Sequence, residues 1–319
     1  MKFATLDDGS RDGQLVRVSR DLSRMVSCLP VARTLQEAIE NWDELAPRLA
    51  SLDPEDPDAE RFDPGRTLAP LPRAWQWLDG SAFRTHGMLM QKAYDLPPLP
   101  PTPPLMYQGL SDRFLAGHAA VPLPDEAHGI DFEGELAVIV GRVEMGATPQ
   151  ESLAAIKLVM LLNDWSLRVL GAEEIRTGFG WVRGKPACSV APVAVTPDEL
   201  GGAWRDGRVH LPVCVEFRGA LFGAANGGAM DFGFHELIAH AATTRELCAG
   251  TIIGSGTVSN ADYRAVGSSC IAELRAIETI DGGHPTTSFM RFGERVKIEV
   301  SSRGASLFGK IDQQVVRAD

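Results

Sequence analysis

Residues 129–141 read "GIDFEGELAVIVG". Side chains alternate across a strand, so Asp131, Glu133, Glu135, Ala137 and Ile139 share one face. A solvated strand would stay polar along that whole face. Here the acids crowd one end and the rest is apolar, the pattern of a core strand with carboxylates at its mouth. Glu133 and Glu135, at i and i+2, stand about 6.5–7 Å apart along such a strand. Both can converge on one cation, whereas unpaired they would repel each other and be costly to bury. A solvated strand end is the competing reading, and this stretch alone does not separate the two.

Outward from it, "KLVMLLND" reads as an apolar strand ending at Asp164, where a buried carboxylate needs a partner; a cap for the next turn is the alternative role. Oxygen ligands of this kind suit a hard cation, Mg²⁺ or Ca²⁺. "VHLPVCVEFRG", "GTIIGSGTVSN", "CIAELRAIETI", "RVKIEVSS" and "SLFGKIDQQVV" supply further strands, against short helices at "TPQESLAAI" (Thr148 as cap) and "HELIAHAATT". The class expected is mainly β with some helix. "GSGTVSN" is not a dinucleotide fingerprint, because it follows a strand without opening a helix. Residues 97–109, "PPLPPTPPLMYQG", read as a polyproline-like surface loop.

Residues 1–70 form a separate expectation, a small N-terminal α+β domain ahead of a catalytic domain at 71–319. "FATL" and "QLVRVS" read as a hairpin, and residues 34–52 place Leu35, Ile39, Trp42, Leu45 and Leu49 at helical spacing. The acidic, proline-rich "DPEDPDAERFDPGR" is a connector. At 319 residues the chain is long enough for two domains. Its net charge of −11 argues against a nucleic-acid partner, which needs a basic surface. No apolar run reaches the ~20 residues of a membrane helix. "MKFATLDDGSRDG" lacks the apolar region of a signal peptide, so a cytoplasmic protein is expected. The five dispersed cysteines suit reduced thiols.

"DFEGELAVIVG", "LLNDWSLR" and "RGKPACSVAP", in that order and spacing, resemble the signature of the fumarylacetoacetate hydrolase family over residues 75–319. The resemblance implies a mixed β-sandwich roll, a homodimer and a divalent ion, Mg²⁺, Ca²⁺ or Mn²⁺, on four acids. Glu133, Glu135 and Asp164 match three of these. "WLDGSAFRTHG" supplies the fourth as Asp79, seven residues before a histidine, His86, that the family orients with a glutamate, here Glu273. Lys185 matches the family lysine, Ser189 a hydroxyl residue near the ion, and Thr257 a threonine lining the substrate pocket. The glycine-containing loop "YQG" shapes the site, with no chemistry assigned to Tyr107.

The activity implied is hydrolysis of a carbon–carbon bond in a β-dicarbonyl acid, such as fumarylacetoacetate or an acylpyruvate from aromatic-compound catabolism. His86 and Glu273 would activate water, and Lys185 would stabilise the oxyanion. A small anionic oxo-acid is therefore the expected partner. A hydratase, decarboxylase or isomerase of the same fold, or a non-catalytic metal-binding protein, are the alternatives. Three substrate-gripping residues of the family, a tyrosine, an arginine and a glutamine, are replaced by Ser81, Asp95 and Gly171. Arg84 and Arg168 are the candidates to supply the missing cation.

Overall fold

The strand Gly134–Val140 is buried along its whole length, near the centre of a 12-stranded sheet. The computed structural model that shows this describes residues 1–98 and 102–318. Ile156–Asn163 pairs antiparallel on one side of the strand and Ile252–Gly254 antiparallel on the other. Both faces are covered, which is why these segments read as nearly unbroken apolar runs. Beyond Ile252–Gly254 lie Trp77–Gly80, in parallel pairing, and then Met106–Gln108.

In the other direction the sheet runs through Ala194–Val195 into the N-terminal strands. Lys2–Leu6 and Gln14–Val18 form the expected hairpin. It does not stand apart, because Lys2 and Phe3 pair with Val195 and Ala194. A second, 5-stranded sheet includes Pro212–Phe217, Arg295–Ser302 and Ala305–Arg317. Leu136, Val138, Val159 and Leu161 pack in one core with Val213, Val215, Ile298 and Ile311 from that sheet. Ala137, Ile139, Leu158, Met160 and Leu162 face the opposite way, onto Phe3, Leu15, Leu35, Ile39 and Leu49. The period-2 alternation thus sorts one strand pair between two cores, each buried large apolar side chain contributing about 1.5–3 kcal/mol.

Strand makes up 31% and helix 26%, so the architecture is the mixed β roll with a small N-terminal unit. Several local expectations are corrected. Residues 34–52 form two helices, Leu35–Glu40 and Trp42–Ala50, broken at Asn41, whose side-chain amide bonds back to the Glu37 carbonyl at 3.0 Å. "CIAELRAIETI" is not a strand but the helix Ile271–Gly282. Helices Arg84–Tyr94 and Arg168–Ile175 were not anticipated either. Of the polyproline-like loop, Met106–Gln108 is a strand, and residues 99–101 lie outside the described residues. Among the described residues no helix is long and apolar enough to cross a membrane.

Candidate active site

Three strands deliver the acids to one end of the central sheet. Asp79 lies on Trp77–Gly80, Glu135 near the start of Gly134–Val140, and Asp164 just past Ile156–Asn163. The register pairs Gly134 with Asn163, Ala137 with Gly254, and Gly254 with Asp79. One carboxylate oxygen from each of Asp79, Glu135 and Asp164 lies within 4.8 Å of the others, and all three residues are buried. Close approach to the neighbouring backbone requires the glycines of "GSG". A Cβ on Gly254 would come within 2.2 Å of Asp79 Oδ1. Gly256, at φ +75°, donates its N–H to the same oxygen at 3.1 Å.

Glu133 stands apart from this trio. Its carboxylate accepts from Thr257 Oγ1 at 2.6 Å and Ser166 Oγ at 2.8 Å, and pairs with Arg168 Nη1 at 2.8 Å and Lys185 Nζ at 3.1 Å. Burial alone would raise the Glu133 pKa, but Lys185 and Arg168 outweigh it and hold the group well below the usual carboxylate range. For Asp79, burial and then the Asp164 charge push the pKa well up. Glu135 is pushed up likewise, by burial and by its neighbours Asp79 and Asp164. Four carboxylates are thus gathered with two cations, Arg168 on Glu133 and Lys185 on both Glu133 and Asp164.

Lys185 bridges Asp164 at 2.5 Å and Glu133 at 3.1 Å. Burial opposes its charge, yet those two acids raise its pKa and keep it an ammonium. Asp164 also accepts from Tyr107 Oη at 2.6 Å and from the Cys188 thiol at 3.0 Å. Burial first, and then the Asp164 charge, keep both the phenol and the thiol protonated. Both are donors that the sequence reading passed over. Tyr107 becomes visible only through strand pairing, which sets it opposite Asp79.

His86 sits in the first turn of Arg84–Tyr94, its Nδ1 2.9 Å from Glu273 Oε2. Glu273 is fully buried and opens the helix Ile271–Gly282. The other assigned residues have the following neighbours. The Thr257 hydroxyl is committed to Glu133, and the Ser189 hydroxyl accepts from Trp165 Nε1 at 2.9 Å. Ser81 is exposed. Arg84 faces Asp231 at 3.9 Å and the Phe232 ring, while Arg168 is held by Asp131 and Glu133. Asp95 caps the C-terminus of the histidine helix in the left-handed region, exposed to solvent.

These donors fit a hard divalent cation. Both carboxylate oxygens of Glu135 are buried without a hydrogen-bond partner, a costly state that an ion would relieve. Asp79, Asp164, Glu133 and Glu135 also carry more negative charge than Lys185 and Arg168 balance.

The pattern "Fumarylacetoacetate (FAA) hydrolase C-terminal" matches residues 76–316. The chain belongs to the fumarylacetoacetate hydrolase family. Residues 1–73 match "Fumarylacetoacetase N-terminal domain 2". Among curated relatives, a 2,4-didehydro-3-deoxy-L-rhamnonate hydrolase of Sphingomonas is 29% identical over 49% of this chain and 53% of its own length. The mitochondrial oxaloacetate tautomerase FAHD2B of Bos taurus is 26% identical over 49% of each. The chain thus spans about half the length of the curated relatives it matches. The solved maleylpyruvate hydrolase of Sphingobium, in complex with manganese(II) and pyruvate, matches all of both chains with a TM-score of 0.67. At 17% identity that likeness is one of fold. Members of the fumarylacetoacetate hydrolase family with hydrolase and tautomerase activities therefore share this scaffold, and the choice between them falls to the site residues.

Proposed function

We propose that this protein hydrolyses a carbon–carbon bond in a small β-dicarbonyl acid of the acylpyruvate or fumarylacetoacetate type. The observation that carries the reading is the 2.9 Å His86–Glu273 contact beside the carboxylate cluster. His86 lies close enough for its charge to act on Glu133. A tautomerase needs only proton shuttling between carbon and oxygen, whereas hydrolysis needs a base that makes a nucleophile of water. A histidine whose Nδ1 proton is held by a buried carboxylate presents a basic Nε2 for that purpose.

Asp79, Glu135 and Asp164, with Glu133 beside them, would hold a divalent ion, Mg²⁺, Mn²⁺ or Ca²⁺. When bound, such an ion supplies Lewis-acid polarisation of the substrate carbonyl oxygens. The residues do the rest. His86 Nε2 takes a proton from water, and the hydroxyl oxygen bonds to the acyl carbonyl carbon. Lys185 has three N–H donors; two face Asp164 and Glu133, leaving the third for the developing oxyanion. Collapse of that oxyanion breaks the carbon–carbon bond, and the electron pair leaves with the oxo acid fragment as its enolate. Protonated His86 returns the proton to carbon. Substrate plus water gives one carboxylic acid and one oxo acid, a 2-oxo acid from an acylpyruvate and a 3-oxo acid from fumarylacetoacetate, with no oxidant or reductant.

The test is a panel of acylpyruvates and fumarylacetoacetate with Mg²⁺ or Mn²⁺, followed both by enol absorbance and by chromatography of products. Equimolar carboxylic and oxo acids are expected, the latter a 2-oxo acid from acylpyruvates and a 3-oxo acid from fumarylacetoacetate. Loss of enol absorbance with the carbon chain intact would make the protein a tautomerase and overturn the hydrolase reading.

A further inference from the structure

Asp131, which ends the short strand Ile130–Asp131 ahead of Gly134–Val140, belongs neither to the carboxylate trio nor to the histidine pair. It is completely buried. Its Oδ1 accepts from the backbone N–H of Ile271 at 2.7 Å, and its Oδ2 from that of Ala272 at 2.9 Å and from Arg168 Nε at 2.8 Å. Ile271 and Ala272 are the first two residues of the helix Ile271–Gly282, and Glu273 is the third. Helix N-termini leave amides without intrahelical partners and favour negative charge. Asp131, from a distant part of the chain, satisfies two of those amides.

Glu273 itself has little else to hold it. Its Oε2 meets His86, while its Oε1 is buried without a partner. The position of the carboxylate is therefore set by the backbone of the first helical turn. On the other side, Arg168 ties Asp131 to Glu133 through Nε and Nη1, and Glu133 forms a backbone bridge with Cys270, which precedes the helix.

We infer that Asp131 is a positioning residue for the His86–Glu273 pair, clamping the first turn of the Glu273 helix so that the carboxylate meets Nδ1 of the imidazole. The inference rests on the hydrolase reading only for its effect on rate. The clamp itself can be read without substrate. A displacement of about 1 Å at a positioned group can cost about 10²-fold in rate, so Asp131→Asn should lower kcat about 10–100-fold with KM changed less than about threefold. The asparagine keeps the shape of aspartate but turns an N–H₂ toward donors.

Two measurements distinguish this role from general support of the fold. In a double-mutant cycle, Asp131→Asn should cost less than about twofold once Glu273→Gln is present, because both act through one unit. In the metal-free protein, the ¹⁵N shifts of His86 should report a single Nδ1–H tautomer in the wild type and a mixture in Asp131→Asn. Should Asp131→Asn not fold, Ile271→Pro removes one clamped amide at a first-turn position that tolerates proline, and the same cycle and spectrum apply. An unchanged tautomer together with costs that multiply in the double variant would overturn the inference. If instead Glu273→Gln turns over at the wild-type rate, the hydrolase reading fails, while the tautomer spectrum still decides the clamp.

Discussion

Replacing Glu135 with glutamine should stabilise the metal-free protein and remove its response to divalent ions. One oxygen from each of Asp79, Glu135 and Asp164 lies within 4.8 Å of the others. At that separation and an effective dielectric of about 20, one like-charged pair repels by about 3.5 kcal/mol. The penalty has a ceiling, because a carboxyl can take up a proton instead. From a reference pKa near 4.3, that costs about 3.7 kcal/mol at pH 7. The amide removes the charge but leaves polar atoms without partners, which reduces the net gain to about 2 kcal/mol. For a chain of this length that is a rise in Tm of about 3 °C.

The pH dependence has a definite sign. Asp79 and Glu135 have raised pKa values in the fold, so their ionisation costs stability above the unfolded value, and that cost is relieved as pH falls through the raised folded values. Glu133 is depressed, so the stability it contributes is lost only below its unfolded pKa, as pH falls toward the folded value. Metal-free wild type should therefore gain stability from pH 8 down to about pH 5, and Glu135→Gln should show less of that gain. Saturating Mg²⁺ or Mn²⁺ should raise the wild-type Tm at pH 8 and release protons. Scanning calorimetry in chelator and in metal reads both. Equal Tm values for the two metal-free proteins at pH 8, or an equal metal-induced rise in both, would refute the repulsion and the ion site together.

Three further outcomes are expected. His86→Ala and Glu273→Gln should each lower kcat by about 10²–10⁴ with little change in KM, and their losses should not multiply when combined; steady-state kinetics on a substrate found in the panel decides this. Tyr107→Phe removes the 2.6 Å donor to Asp164 and should weaken divalent-ion affinity about 10–100-fold, measured by titration calorimetry; unchanged affinity would leave the phenol a packing group. Glu278 accepts four hydrogen bonds from Thr286 and Thr287. Burial raises its pKa, but these bonds outweigh it and hold the pKa at about 2. Its contribution, about 1 kcal/mol for a partly exposed surface group, is present above an unfolded pKa near 4.3 and fades as pH falls toward about 2. Denaturant melts of Glu278→Gln should show the difference at pH 7 and a smaller one at pH 3.

What could be read from the sequence divides along physical lines. Residues 134–140 and 156–163 were legible because both are buried on two faces, and such strands write their environment directly into the chain. Asp79, Glu135 and Asp164 were found by motif and do meet in space. The helix at 271–282 was missed although Ala272, Glu273, Leu274, Arg275 and Ala276 are good helix formers; what the local sequence could not show is its cap, Asp131, 140 residues away. Tyr107 was missed for the same reason, its role being created by pairing with Asp79.

The question posed by "DFEGE" then has an answer that strand geometry alone did not offer. Strand geometry allowed Glu133 and Glu135 to share one ion, with Asp131 left over. The structure gives the three carboxylates three different neighbourhoods. Asp131 meets backbone amides and a guanidinium, Glu133 meets two cations and two hydroxyls, and Glu135 faces chiefly other acids, with Lys185 a lesser influence. The three do not share one strand, since Asp131 ends Ile130–Asp131, Glu133 lies in the break and Glu135 is in Gly134–Val140; what a buried carboxylate does is decided by the charge it faces. Only Glu135 faces a deficit of positive charge with both oxygens unpartnered. Asp131 and Glu133 have their cations in Arg168 and Lys185, and those same cations hold the Glu273 helix and Asp164 against the site. Among the described residues, the trio Asp79, Glu135 and Asp164 is where an added divalent ion is expected to bind.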